Sequence, residues 1–221
     1  MNNEIVLVDK PAGMTSFGVV ARVRRVLSEV AGGRVKVGHT GTLDPFATGL
    51  MILLVGKGTK KAEQFSKLDK IYEAKIRLGA TSATGDPEGE ITEMQSLEPS
   101  SDYFSMISQV VLSFVGEIEQ TPPVFSAIKI NGQRAYKLAR KGVEVEMPRR
   151  KVQIYSIDIL EYDWPYLVIR THVSSGTYIR SLAVDIGEKL GCGAYVEELR
   201  RTKVGEYDVG LAQTLDAIMG S

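Results

Sequence analysis

The sequence predicts an α+β fold built on a mixed or antiparallel sheet. Predicted strands and helices alternate irregularly along the 221 residues, so a regular βαβ array with a parallel sheet is not favoured. Two strand-like stretches, 151–161 and 166–172, flank an Asp-Trp-Pro turn, which predicts an antiparallel hairpin. Apolar residues make up 43% and charged residues 24% of the chain, as in ordinary globular proteins. We therefore predict a single domain over residues 1–221.

Hydrophobic periodicity and turn residues assign the remaining elements in chain order. Besides the hairpin, the predicted strands cover residues 4–8, 50–55, 70–79, 90–93 and 126–130. The predicted helices cover residues 16–30, 59–66, 101–115, 176–190 and 215–219. Ser16 is a good N-cap residue for the first of these helices. The strand at 70–79 alternates cleanly, which places Tyr72, Ala74, Ile76 and Leu78 on one buried face.

Charge is segregated along a chain whose formal net charge is zero. Residues 81–120 hold eight acidic residues and no lysine or arginine, whereas residues 129–151 hold eight basic residues and two acidic ones. Such segregation gives a neutral protein one strongly positive surface. Two interpretations stay open: a solvated face of mixed charge, or a surface that binds a polyanion.

The sequence lacks the motifs of several kinds of chemistry. A single cysteine, Cys192, allows no disulfide within the chain, and two histidines are too few for the usual zinc sites. The sequence contains no GxSxG motif and no phosphate-binding P-loop. It contains no signal peptide and no apolar run of roughly 20 residues, the length that spans a bilayer. We therefore predict a cytoplasmic protein that does not enter a membrane.

One glycine-rich loop presents a single acid. Residues 38–49 read GHTGTLDPFATG, and their three glycines permit a positive φ or a close backbone approach. An apolar stretch follows directly, so the loop leads into a buried strand. Asp44 lies in the middle of the loop, before Pro45. Two interpretations stay open: Asp44 caps a helix that begins at Pro45, or it is a fixed carboxylate that acts as a nucleophile or base.

Four other residues are candidates for a site, and each also has an ordinary structural explanation. Tyr72 is either a core tyrosine or an aromatic platform on which a base stacks. Arg180 is either a solvated arginine or the partner of a buried carboxylate. His39 by default makes a hydrogen bond within its loop, and Lys10 by default is a surface lysine.

The order of these motifs resembles that of the TruB family of pseudouridine synthases. Residues 38–49 match the family signature G-H-x-G-x-L-D-P-x-A-x-G, and KPAGMTS at 10–16 matches K-P-x-G-x-T-S. The match continues in family order with KIY at 70–72, SAIK at 126–129 and GTYIR at 176–180. The resemblance covers residues 4–205.

This resemblance implies a pseudouridine synthase fold, with a central mixed sheet flanked by helices and an RNA-binding insertion over residues 122–151. It implies an enzyme that isomerises uridine at position 55 of the tRNA T-loop, after flipping that base out of the loop. Asp44 would be the nucleophilic aspartate, Tyr72 the active-site tyrosine, and Arg180 the arginine that pairs with Asp44. The isomerisation is neither a redox reaction nor a hydrolysis, so no cofactor and no metal are expected.

The resemblance also implies contacts with the substrate or the surrounding RNA. These are expected from Lys10, His39, Lys129, Arg134, Arg140, Lys141 and Leu199. Basic residues of the insertion would bind T-arm phosphates, which makes affinity depend on salt. We find no match to the C-terminal PUA domain that many family members carry. Because the guide-RNA-dependent relatives carry that domain, we do not expect a guide-RNA-dependent enzyme. We expect tRNA as the partner, no guide RNA, and a monomer. Two alternatives stay open: a non-catalytic tRNA-folding chaperone, and a pseudouridine synthase with other RNA targets.

Overall fold

The computed structural model describes residues 4–94, 103–126, 128–130, 132–139, 142–143 and 145–220, with the backbone alone at 129, 136 and 137. The chain divides into two compact units. The first unit comprises residues 1–73 and 198–221, and the second comprises residues 74–197. The single domain over 1–221 stays a prediction.

Strands dominate both units. In chain order the strands are β1 (Ile5–Lys10), β2 (Val37–His39), β3 (Thr48–Val55), β4 (Lys70–Leu78), β5 (Ala80–Ser82), β6 (Ile91–Glu93), β7 (Gly116–Gln120), β8 (Lys129–Ile130), β9 (Gln133–Arg134), β10 (Arg150–Asp163), β11 (Tyr166–Val173), β12 (Ala194–Val204), β13 (Tyr207–Asp208) and β14 (Gln213–Thr214). The helices are α1 (Ser16–Ala31), α2 (Ala62–Ser66), α3 (Tyr103–Leu112), α4 (Ala135–Ala139), α5 (Ile179–Leu190) and α6 (Leu215–Met219), with 3-10 turns at Gly56–Lys61 and Val209–Leu211.

The first unit is built around β3, whose residues from Leu50 to Leu54 are all buried. An uninterrupted apolar run of this kind is typical of a strand covered on both faces. Strand β1 pairs antiparallel with β3 along its whole length, and β12 pairs parallel with the start of β3. Strand β14 pairs parallel with the other side of β1. The Asp44 loop therefore ends at the beginning of the most buried strand of this unit.

The second unit contains the hairpin that the sequence predicts. Strands β10 and β11 pair antiparallel, and β7 adds to the free side of β10 with Gln120 opposite Arg150. The buried residues of α5 include Ile179, Leu182, Ala183 and Ile186, whose spacing of three and four residues places them on one face of the helix. Parallel and antiparallel pairs both occur in the structure, so the predicted α+β class with a mixed sheet is confirmed.

Three predictions about element ends are wrong in detail. Thr15, not Ser16, is the N-cap of α1, and its side chain accepts a hydrogen bond from the Gly18 amide. No helix begins at Pro45, because the chain bends there and enters β3 within three residues. Helix α5 begins at Ile179 and not near Gly176, because Tyr178 has an extended backbone conformation.

Candidate active site

The backbone on the N-terminal side of Asp44 is held by Ser16, from the first turn of α1. The Ser16 hydroxyl Oγ accepts a hydrogen bond from the Leu43 amide and donates one to the Leu43 carbonyl, both at 2.8 Å. Both residues are buried. Because one side chain satisfies both polar groups of Leu43, the peptide next to Asp44 has little freedom to move. The Ser16 hydroxyl is thus occupied by Leu43, and the Thr15 side chain caps the helix instead.

The backbone on the C-terminal side of Asp44 is held by Lys10, at the end of β1. The Lys10 ammonium Nζ donates to the carbonyls of Pro45 at 3.0 Å, Ala47 at 2.5 Å and Pro11 at 2.8 Å. The Gly13 amide donates a second bond to the Pro45 carbonyl at 2.8 Å. The Asp44 carbonyl accepts from the Ala47 amide at 3.2 Å, which closes a turn within the loop.

Lys10 was predicted to contact RNA, and the structure gives it a different position. Its side chain is 0% exposed, and the carbonyls of the loop face its ammonium group. A buried cation is tolerated where hydrogen-bond acceptors replace its water. Lys10 therefore binds the loop backbone from the protein interior and does not reach the protein surface.

Strand β12 holds both ends of the same loop. The Arg201 guanidinium donates through Nε to the Leu50 carbonyl at 2.7 Å and through Nη2 to the Gly41 carbonyl at 3.1 Å. Gly49 lies opposite Arg201 in the parallel pair and has a φ of 102°. A Cβ at this position would overlap the Arg201 backbone, so only glycine lets the two strands approach this closely. Arg200 adds a paired contact with Asp9 at 2.8 and 3.1 Å.

Asp44 itself is partly exposed and lies in this loop, whose backbone is held on both sides. Its carboxylate therefore projects from a fixed backbone. The alternative that Asp44 caps a helix is wrong, since no helix follows it. A carboxylate presented in this way can act as a nucleophile or base without first paying to order its backbone.

Leu199 and Tyr72 lie on the two strands that follow β3 across the first unit. The Thr48 hydroxyl at the end of the loop donates to the Leu199 carbonyl at 3.5 Å, and Leu199 is buried. The Thr202 hydroxyl donates to the Ile71 carbonyl at 3.3 Å, next to buried Tyr72. His39 lies in β2, which pairs with β3, and is partly exposed.

Buried Lys70 shares strand β4 and a strand face with Tyr72. Its ammonium donates to the carbonyls of Ser66 and Leu68. Burial, together with the positive charge of Arg201, lowers the pKa of Lys70 to about 8, and Asp69 partly opposes this shift.

Arg180, in the second unit, is the partner of a buried carboxylate, as one of its two interpretations predicts. Its Nη1 donates to Asp86 Oδ2 at 2.9 Å, and the two side chains are only 4% and 3% exposed. The other Asp86 oxygen accepts from the Thr84 hydroxyl at 2.5 Å and from the Glu88 amide at 3.0 Å. Asp86 thereby has every oxygen satisfied and fixes one edge of the guanidinium.

Two backbone carbonyls also accept hydrogen bonds from Arg180. Nη1 also donates to the Thr84 carbonyl at 2.9 Å, and Nη2 donates to the Phe125 carbonyl at 2.8 Å. The guanidinium is thus oriented by the turn that carries Asp86 and by the first residues of the predicted insertion. The pairing of Arg180 with Asp44 stays a prediction.

Only part of the predicted RNA-binding insertion lies within the described residues. Arg134 is exposed in β9, which forms a small hairpin with β8. Lys129 is described by its backbone alone, and Arg140 and Lys141 lie outside the described residues. Their predicted contacts with RNA stay predictions.

Sequence reasoning missed Asp86, Ser16, Arg201 and Gln120 as parts of the site. Asp86 was counted only among the eight acidic residues of 81–120, and the other three side chains bind backbone groups distant in sequence. The GDP sequence at 85–87 was an available signal, because Asp in such turns commonly accepts local backbone amides. Within the described ranges, no group of three or more His, Cys, Asp or Glu side chains could hold a metal ion. Among the described helices, none is long and apolar enough to cross a membrane.

Solved structures similar to this chain come from complexes that contain Cbf5 and Nop10. A chain of the Cbf5-Nop10-Gar1 complex superposes with a TM-score of 0.73 and 31% identity, over 97% of this chain and 53% of that one. A chain of the archaeal box H/ACA sRNP Nop10-Cbf5 complex gives a TM-score of 0.69 and 29% identity, over 98% and 52%. This chain spans about half the length of those two chains.

Sequence comparisons identify the family. The tRNA pseudouridine synthase B of Clostridium kluyveri is 46% identical over 207 residues, which cover 93% of this chain and 68% of that protein. The protein of the same name from Azoarcus is 42% identical over 217 residues, which cover 98% and 70%. A model of the TruB family pseudouridylate synthase N-terminal domain matches residues 24–179, and a model of the tRNA pseudouridylate synthase B C-terminal domain matches residues 180–220. The chain therefore belongs to the TruB family of pseudouridylate synthases.

Proposed function

We propose that this protein isomerises uridine to pseudouridine in tRNA, at position 55 of the T-loop. The observation that carries the proposal is the anchoring of the Asp44 loop, in which Ser16, Lys10 and Arg201 all bind backbone groups around one partly exposed carboxylate. Relatives at 42–46% identity bear the name tRNA pseudouridine synthase B, which supports tRNA as the substrate.

The reaction exchanges one bond of the base for another. The uridine is flipped out of its loop, and Asp44 assists in breaking the bond between N1 and C1′. The freed uracil turns, a bond forms between C5 and C1′, and the proton on C5 is lost while N1 gains one. Substrate and product are isomers, so atoms and electrons balance without an oxidant or reductant.

Tyr72 and Leu199 are the proposed neighbours of the flipped base in the first unit. Both are buried, on adjacent strands that follow the Asp44 loop. Stacking on an aromatic ring offsets part of the cost of removing a base from its stack, which is a few kcal/mol. His39 is proposed to support the flipped conformation from the RNA side. Arg180, oriented by Asp86, is proposed to pair with Asp44 and keep it ionised and oriented.

The remaining RNA contacts are proposed for the basic segment 129–151. Exposed Arg134 and the neighbouring basic residues Lys129, Arg140 and Lys141 are proposed to bind T-arm phosphates, so RNA affinity falls as salt rises. We further propose that the protein acts as a cytoplasmic monomer and without guide RNA.

Release of tritium from a T-arm stem-loop containing 5-tritiated uridine tests the proposal, because the C5 proton leaves only when C5 bonds to the sugar. The wild-type protein alone should release tritium without metal or guide RNA. Asp44→Asn should lower the rate by at least about 1,000-fold, as removal of a nucleophile does, while RNA binding persists. Asp216→Asn, an exposed residue of α6, is the matched control and should keep wild-type activity.

Three results would each overturn a part of this proposal. Normal tritium release by Asp44→Asn would remove Asp44 from the chemistry. A wild-type protein that binds the stem-loop and accelerates tRNA refolding, yet releases no tritium, would identify a tRNA-folding chaperone instead. Release from other RNAs with none from the stem-loop would assign a different substrate.

A further inference from the structure

Four hydrogen bonds connect residues 120–125, which lead into the predicted RNA-binding insertion, to the start of α5, which carries Arg180. Gln120 binds Tyr178, the Thr121 carbonyl accepts from the Ser181 hydroxyl at 2.7 Å, and the Phe125 carbonyl accepts from Arg180. All of these residues belong to the second unit. The two segments are more than 50 residues apart in sequence.

Gln120 makes the most specific of these connections. Its side-chain Oε1 accepts from the Tyr178 amide at 2.8 Å, and its Nε2 donates to the Tyr178 carbonyl at 3.0 Å. The residue is only 1% exposed. A primary amide that pairs with both polar groups of one residue fixes the orientation of that residue. The residue cannot rotate about one hydrogen bond without breaking the other. A buried glutamine also costs free energy unless both ends are satisfied, as they are here.

Tyr178 is the residue at which the extended backbone turns into α5. It is the N-cap of that helix, and its own side chain forms no capping hydrogen bond. Its carbonyl also accepts the first helical bond, from the Leu182 amide at 3.1 Å. Gln120 therefore sets the entry direction of a helix whose second residue is Arg180.

The opposite end of the predicted insertion touches the same motif. The Arg150 guanidinium carbon lies 4.8 Å from the centre of the Tyr178 ring, and its Nη1 lies 3.5 Å from where a Cβ on Gly176 would be. Arg150 is also the β10 residue opposite Gln120 in the β7–β10 pair. The segments at both ends of the insertion thus contact residues 176–181, a stretch that includes the candidate catalytic residue Arg180.

We propose that Gln120 is a positioning residue for Arg180, through which the segment that leads into the RNA-binding insertion sets the orientation of the guanidinium. This inference rests on the proposed function. Gln120 does not touch the reacting atoms: it acts by fixing Tyr178, and the Phe125 carbonyl then receives Nη2 of the oriented arginine.

A double-mutant cycle with Gln120→Leu and Arg180→Lys tests the inference. Gln120→Leu keeps the side-chain size and loses both hydrogen bonds. With saturating T-arm RNA, the single-turnover rate should fall about 10- to 100-fold, the scale of a small misplacement of a catalytic group, while the RNA dissociation constant changes less than about threefold. In the Arg180→Lys background, Gln120→Leu should cost little more, because the group it positions is already changed. Equal losses in both backgrounds would overturn the inference.

Thr171→Val is the matched control for a merely structural effect. The buried Thr171 hydroxyl donates to the Ser156 carbonyl at 3.0 Å within the same unit, so valine also removes a buried side-chain bond to the backbone. Its single-turnover rate should stay within about twofold of wild type. A loss in Thr171→Val as large as that in Gln120→Leu would show that lost stability alone explains the effect.

Hydrogen exchange distinguishes failure of this inference from failure of the proposed function, because it needs no catalysis. When T-arm RNA binds wild-type protein, amide exchange should slow over residues 120–126 and also over 178–182. In Gln120→Leu, RNA should slow exchange only over 120–126. Slowing at 178–182 that persists in the variant would overturn the inference, even if the protein released no tritium at all.

Discussion

Removal of the Ser16 hydroxyl is the most direct test of how the Asp44 loop is held. Ser16→Ala leaves the Leu43 amide and carbonyl buried without their common partner. A buried polar group that loses its partner costs about 1–3 kcal/mol, and alanine returns about 0.5 kcal/mol through its higher helix propensity. Because the loop can relax toward water, each of the two groups should cost only about 1 kcal/mol. With the gain from alanine, the free energy of unfolding should fall by about 1.5 kcal/mol.

The same change should affect catalysis more than a loss of stability explains. Leu43 precedes Asp44, so a looser peptide at Leu43 lets the carboxylate sample non-productive orientations. The single-turnover rate of tritium release at a temperature where the variant is fully folded should fall about 10-fold or more. RNA affinity should remain near that of wild type, since Ser16 is buried under the loop.

Urea denaturation followed by circular dichroism measures the stability, and tritium release measures the rate. Ser108→Ala is the matched control: its hydroxyl also donates to a carbonyl, that of Phe104, but at an exposed position on α3. That variant should stay within about 0.5 kcal/mol of wild type. If Ser16→Ala behaved like Ser108→Ala in both assays, the hydroxyl would not be what holds the loop.

Two further predictions concern the second unit. Asp86→Asn removes a buried carboxylate charge from its contact with the buried Arg180 guanidinium, so the free energy of unfolding should fall by about 3 kcal/mol or more in urea denaturation. Glu90→Gln, on the exposed side of the same turn, should change it little. Burial, with the nearby Glu188, raises the pKa of Asp185 from its ordinary 3.8 to about 6 against the opposing charge of Arg149. Because this pKa is higher in the folded protein, Asp185 stabilises the fold below about pH 4 and loses that contribution as pH rises through about 6. Asp185→Asn should therefore be more stable than wild type at pH 7 by about 1–2 kcal/mol, after allowance for partial solvent exposure. Thermal melts should show that this difference in stability disappears near pH 4. Stability curves of the two proteins that stay parallel from pH 4 to 7 would contradict the prediction.

Periodicity predicted the faces of the elements well. The alternation of β4 places Tyr72 on a buried face, and helical spacing in α5 identifies the four apolar residues that face its core. These successes have a simple cause, because burial of one face repeats at the period of the backbone itself. The same reasoning gave Arg180 a buried carboxylate as one of two interpretations, and the structure selects it.

Partners distant in sequence could not be predicted in this way. Lys10 follows a strand and precedes a proline, which suggests a surface position, yet three carbonyls that converge on it make burial tolerable. Asp86 is one of eight acids in its segment. Its GDP turn marks it as an acceptor of local amides but does not identify Arg180 as its partner. Such contacts depend on where the fold brings distant backbone groups together, and the local sequence pattern does not indicate those positions.

The contact between Gly49 and Arg201 has a consequence for the order in which the protein can assemble during its synthesis. The Asp44 loop is translated early, but the backbone against which Gly49 packs and the guanidinium that binds Gly41 arrive about 150 residues later. A nascent chain on the ribosome can pair β1 with β3, since both precede residue 56, but it cannot close the loop until β12 has emerged. The candidate nucleophile therefore cannot reach its final geometry until Arg201 has been made.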